Sequence, residues 1–171
     1  MGRDFRDPVQ VEMRRHRHQV WESLQRASAL LKVSARLAPA PAEEIRRAAV
    51  VLMHAYLEDF LRTIAGREFK AFSNAKQIEQ FLNKLDFAAS EHSQHLAAID
   101  RMIKRRHRIV HHADKAVAPS NDTLQPLRDE EVVDWLIATC EFAESLMRPL
   151  ERKLAAARNQ KRKHSQQPSK T

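Results

Sequence analysis

From Arg105 to Asp114 the chain reads R-R-H-R-I-V-H-H-A-D, a run rich in residue types that handle phosphate. Arginine cannot be neutralised by losing a proton and presents a planar fork of donors that matches phosphate oxygens. Histidine titrates nearest neutrality and can take or give a proton. The apolar residues Leu96, Ile99, Ile103 and Val110 step by three, four and seven, and Arg106 fills the long gap. A guanidinium on a core-facing stripe must be paired or must look into a wet cleft. His111 follows five residues later, about 140° round an ideal helix and about 7.5 Å along it. The two side chains would border one groove rather than stack. His107 and His112 are also five apart, one step round from the first pair, and would converge if the helix tightened at its end.

A second polar stripe lies upstream. His54, Glu58 and Arg62 follow i, i+4, i+8 spacing between apolar flanks. Glu58 is the expected counter-ion of Arg106 if the two helices pack together, with Asp59 as the fallback. A buried arginine–carboxylate pair can also be purely structural, and residue types alone do not separate that role from a catalytic one.

The elements that must position these residues read as helices. Gly is limited to Gly2 and Gly66, β-branched residues are sparse, and Ala, Leu, Glu, Arg and Lys abound. A first helix is expected from about Val9 to Leu37, with Val20, Leu24, Ala27, Leu31 and Ser34 on one face. Trp21 and Trp135 are expected as core or dimer contacts. Pro39 and Pro41 break the chain, and Pro41 with Glu43 and Glu44 suits the first turn of a second helix. That helix has a wide apolar band and Gly66 as its stop. Asn74 and Gln77 resemble a capping box before a short third helix. Ser90 is a candidate cap for the fourth helix, which carries the arginine–histidine run. A loop with two prolines, 117–126, leads to Asp129 as N-cap of a long last helix that Pro149 would kink or end. The expected architecture is all-α, an antiparallel bundle of four to five helices. Its expected parts are an N-terminal helix packing on the bundle (1–40), a helical core (41–157) and a basic, disordered tail (158–171).

The net charge of +8 belongs mostly to that tail: from Glu151 to Thr171, seven basic residues face one acid. Global basicity is therefore poor support for a nucleic-acid face on the fold, whereas Arg101, Lys104, Arg105, Arg106 and Arg108 cluster on the fourth helix. Cys140, the single cysteine, cannot form an internal disulfide, which fits a reducing cytoplasm, and its apolar neighbours suit a core thiol. No apolar run approaches the ~20 residues of a membrane span, and the N-terminus lacks a signal-peptide core. His92 and His95 share a helical face but lack an evident third metal ligand. His16 and His18 fit solvated surface.

The R-H-R-I-V-H run resembles the R-x4-6-H signature of HEPN domains, and V-L-M-H-A-Y-L-E-D-F-L-R (Val51 to Arg62) is similar to the acidic-residue helix of prokaryotic HEPN proteins. The resemblance spans about Glu43 to Leu150. It implies an all-α homodimer with two motifs facing across a cleft, and a metal-independent endoribonuclease needing no cofactor, often a toxin or defence effector with an antitoxin partner. It implies that His111 is the general acid–base and that Arg106 stabilises the scissile phosphate. His107 would position RNA or support Arg106, Glu58 would orient Arg106, and His54 and His112 would support the cleft. RNA carries its own 2′-OH nucleophile, so such a site needs proton transfer and charge stabilisation and leaves 2′,3′-cyclic phosphate ends. The R-x4-H-x-Y extension of one branch is missing, because position 113 is Ala113. A non-catalytic module binding RNA, a nucleotide or a protein is the alternative.

Overall fold

In the computed structural model, which describes residues 8–65, 72–112, 114 and 125–165, the regular structure is helical throughout and no strand occurs among the described residues. The helices are α1 (Pro8–Ser34), α2 (Pro39–Ala65), α3 (Ala75–Lys84), α4 (Ser93–His112) and α5 (Asp129–Ser165), with a 3-10 turn (Ala89–His92) ahead of α4.

Cross-helix contacts fix their directions. Ser34 at the end of α1 and Arg46 near the start of α2 both reach the Asp129 carboxylate at the start of α5. Thr139 on α5 meets Met102 on α4, and Ser145, later on α5, meets His92 just before α4. Arg47 near the start of α2 meets Asp114, just past the end of α4. Neighbours around the bundle are therefore antiparallel, and α2 and α5 run parallel across the diagonal. α3 lies outside this four-helix frame and touches α4 where the Ala75 N–H donates to Asp100 at 3.4 Å.

The wide apolar band of α2 reflects its contacts with α1, α4 and α5, and Met53 and Leu61 have no exposed surface. Ile78, Leu82, Ile99, Met102, Phe142 and Leu146 are equally dry; burying each such side chain is worth about 1.5–3 kcal/mol. Trp135 joins this core, but Trp21 is 40% exposed on the outer side of the α1–α5 seam. α1 contributes Leu24, Ala27 and Leu31 to the buried core.

Several boundaries are as expected. Asn74 caps α3: its side chain accepts from the Gln77 N–H at 3.0 Å, while Gln77 Oε1 accepts from the Ser73 N–H. Others differ. Ser90 falls inside the 3-10 turn, so α4 begins after it. Pro149 does not end α5, whose backbone stays helical to Ser165, so residues 158–165 continue the helix rather than forming an irregular tail. Their Arg, Lys and Gln content favours helix once a preceding turn exists to propagate from. Gly66 and most of the two-proline loop, 117–124, lie outside the described residues.

Candidate functional site at the end of the fourth helix

α4 buries Leu96, Ala98, Ile99, Met102 and Ile103. The stripe expected to continue through Val110 does not, for Val110 is 47% exposed. Among the described residues, the hydrogen bond that ties α3 to α4 lies at Asp100, about three turns before Val110. At the edge of the buried face stands Arg105, not Arg106, as the fully enclosed arginine.

Arg105 belongs to an ionic knot that joins Arg47 to Asp114, 67 residues apart in sequence. Its Nη2 donates to Asp114 Oδ2 at 2.7 Å, and Arg47 Nε donates to the same oxygen at 2.9 Å. Glu43 and Glu44, expected to serve the α2 dipole, instead accept from Arg47 at 2.9 and 3.0 Å. Burial works against the Arg47 charge, but hydrogen bonds to Asp114 and Glu43 outweigh it and raise its pKa. The Gln125 carbonyl accepts from Arg105 at 2.6 Å and from Arg47 at 3.1 Å, and Gln125 Oε1 accepts from Arg108 at 2.6 Å. Asp114 adopts φ 58, donates its N–H to the Arg108 carbonyl, and accepts from the Gln125 N–H. The knot thus ties together the start of α2, the end of α4 and the approach to α5. Arg47, Asp114 and Gln125 had no assigned role in the sequence. The only local signal was Glu43 and Glu44 standing four and three residues before Arg47.

Arg106 is half-buried between α2 and α4. The ion pair expected with Glu58 does not form. Glu58 accepts from Arg62 at 2.8 Å, one turn on in its own helix, and lies 4.0 Å from His54 Nδ1. Among the described residues no carboxylate pairs with Arg106, and its buried Nε has no hydrogen-bond partner. Asp59, the fallback counter-ion, is exposed beside the α1–α2 seam. His54 is the group that feels Arg106. Its side chain is 5% exposed. Burial lowers its pKa first, the Arg106 charge lowers it further, and Glu58 and a hydrogen bond with the Phe72 backbone pull the other way.

His107 and His111 project to solvent from the final turns, with ring centroids 4.5 Å apart and planes tilted by 45°. His107 thus meets His111 at i, i+4, and the convergence expected of His107 with His112 rests on a side chain that lies outside the described residues. One chain therefore offers two faces at this end: a half-buried guanidinium beside a buried histidine, and an open histidine pair. Arg106 supplies fixed charge at this end, and the outer histidines carry nitrogens able to transfer protons.

His92 and His95 are accounted for by contacts with α5. His92 Nδ1 lies 3.1 Å from Ser145 Oγ and edge-on to Phe87 and Phe142, and burial lowers its pKa. His95 faces Glu141 at 3.6 Å. No trio of metal-ligating side chains gathers among the described residues. Cys140 is half-buried and its thiol is pushed up to about 11, first by burial and then by Glu141 and Glu144, which removes the thiolate that reactivity requires. No described helix is long and apolar enough to cross a membrane. Comparisons with protein-family models, curated proteins and solved structures return no match for this chain.

Proposed function

We propose that this protein is a metal-independent endoribonuclease of the HEPN type, working as a homodimer in the cytoplasm. One observation carries the reading: Arg106 sits at the α2–α4 seam without a carboxylate partner among the described residues, one residue before a solvent-open histidine pair. An arginine already neutralised by Glu58 would have little charge left for a phosphate. Arg106 would hold the scissile phosphate, His111 would act as general acid–base, and His107 would steady the substrate. His54 would stay neutral beside Arg106. Glu58 would orient His54 rather than Arg106, which changes its role but keeps it in the group. The 2′-oxygen loses its proton and attacks phosphorus, the bond to the 5′-oxygen breaks, and that oxygen takes up a proton, leaving a 2′,3′-cyclic phosphate. Two proton transfers fit a cleft where a second copy faces the first. A toxin or defence role, with an antitoxin as regulator, follows from the same resemblance.

The test is incubation of RNA with purified protein in EDTA, alongside His111→Ala and Arg106→Ala. The reading expects cleavage by the parent and a loss of at least about a hundredfold in either variant. Equal cleavage by all three would remove these residues from the chemistry. A second reading, binding without cleavage, draws on the exposure of His111, which faces solvent in a single chain instead of closing over Arg106. Tight RNA binding with no product under any condition would favour it.

A further inference from the structure

Two basic stretches from opposite ends of the sequence leave the bundle side by side. α1 and α5 are antiparallel, and Arg17 Nη1 lies 3.9 Å from Glu151 Oε1. From that contact α5 runs on to Ser165, about 21 Å of helix, and α1 runs back to Pro8, about 14 Å in the same direction. The described core of α5 ends at Leu150. From Glu151 to Ser165 the acid Glu151 stands against Arg152, Lys153, Arg158, Lys161, Arg162 and Lys163. From Pro8 to His18 the acid Glu12 stands against Arg14, Arg15 and Arg17, with His16 and His18 adding titratable charge. Nine basic residues against two acids place +7 of the chain's +8 at this one end.

Past Glu151 the extension of α5 carries no acid of its own. Arg158 and Arg162 are like charges at i, i+4. Such pairs each cost an isolated helix about 0.2–0.5 kcal/mol. It also lacks a face for apolar partners: between Glu151 and Ser165 the only apolar residue larger than alanine is Leu154. A lipid surface or a coiled-coil seam needs a stripe of large apolar residues. A polyanion needs only the charge, and releases counterions on binding.

We propose that this joint end of α1 and α5 docks the sugar-phosphate backbone of RNA without regard to sequence. It lies at the far end of the bundle from Arg106: His92, which meets Ser145, is fourteen residues before Arg106, about 21 Å along α4. The surface therefore raises the local concentration of RNA rather than taking part in chemistry. The proposal shares its ligand class with the function above but not its active residues.

The experiment measures binding of an uncleavable 2′-O-methyl oligoribonucleotide of about 20 nucleotides by fluorescence anisotropy across a salt series. The parent is compared with the combined variant Arg158→Gln, Lys161→Gln, Arg162→Gln and Lys163→Gln, since glutamine keeps helix propensity. The expected result is a fall in affinity of at least tenfold at low salt. The slope of log K against log salt should become shallower by about 2–3, from four lost contacts at about 0.7 each. Lys32→Gln, at an exposed lysine near the other end of α1, should bind like the parent. An unchanged slope and affinity would overturn the proposal. So would retention of RNA binding with loss of binding to phosphatidylserine vesicles, which would make the surface a lipid contact. Lost RNA binding in the combined variant, with no cleavage by the parent, would uphold the surface while removing the ribonuclease reading.

Discussion

Arg105 Nη2 and Asp114 Oδ2 lie 2.7 Å apart with side chains 6% and 1% exposed. Asp114 shares the same oxygen with Arg47, so one carboxylate faces two buried guanidinium groups. Asp114→Ala leaves Arg105 with only carbonyl and amide partners. Removing one member of such a buried set costs about 3–5 kcal/mol. Denaturant unfolding should show that loss with an unchanged slope. A change under about 1 kcal/mol would mean that the knot does not hold α4 to the approach of α5.

Asp86 also adopts a left-handed backbone, at φ 56, and ends α3 while Phe87 donates to the Leu82 carbonyl. Its side chain is exposed. Glycine fits that conformation without the Cβ penalty. Asp86→Gly should therefore raise stability by about 0.5–1 kcal/mol. Asp114→Gly should not, because the ion pairs lost there outweigh the relief.

His54 and His92 are both buried with pKa values held below the ordinary 6.5. The unfolded chain therefore binds more protons than the fold once pH falls below about 6.5. Stability from these two groups is complete above that pH and is lost as pH drops through their folded values. Thermal unfolding from pH 7.5 to 5 should show a decline that His54→Gln with His92→Gln flattens. Equal slopes for parent and double variant would assign the acid sensitivity elsewhere.

The Cys140 thiol, raised to about 11, should resist a disulfide reagent at pH 8 in the folded protein and react at once in denaturant. Fast labelling of the native state would show that this part of the α1–α5 seam opens readily.

Of the candidate site, residue types and spacing were legible and partners were not. Arg106 stood at core spacing in the sequence, and the structure buries it only in part while enclosing Arg105 beside it. Glu58 was expected across the interface, yet Arg62 one turn away takes it. A same-helix neighbour at i+4 is held within reach by the helix itself, whereas a cross-helix partner depends on how far one helix slides along the other. Asp114 stood in the quoted run from the outset. Its role required a left-handed turn and a fold-back onto α2, which no local pattern encodes.

What the sequence by itself determined is local. Helical propensity, scarce glycine and apolar periodicity gave an all-α chain, and Asn74 with Gln77 marked the start of α3, because a helix is built from interactions within a few residues. Tertiary structure decided the pairing of charges. It buried Arg105 rather than Arg106 deepest, joined Arg47 to Asp114 over 67 residues, and set the basic ends of α1 and α5 side by side. Those outcomes depend on helix direction and register, which are fixed only when the apolar faces close on one another and leave each charge to the nearest partner that packing allows.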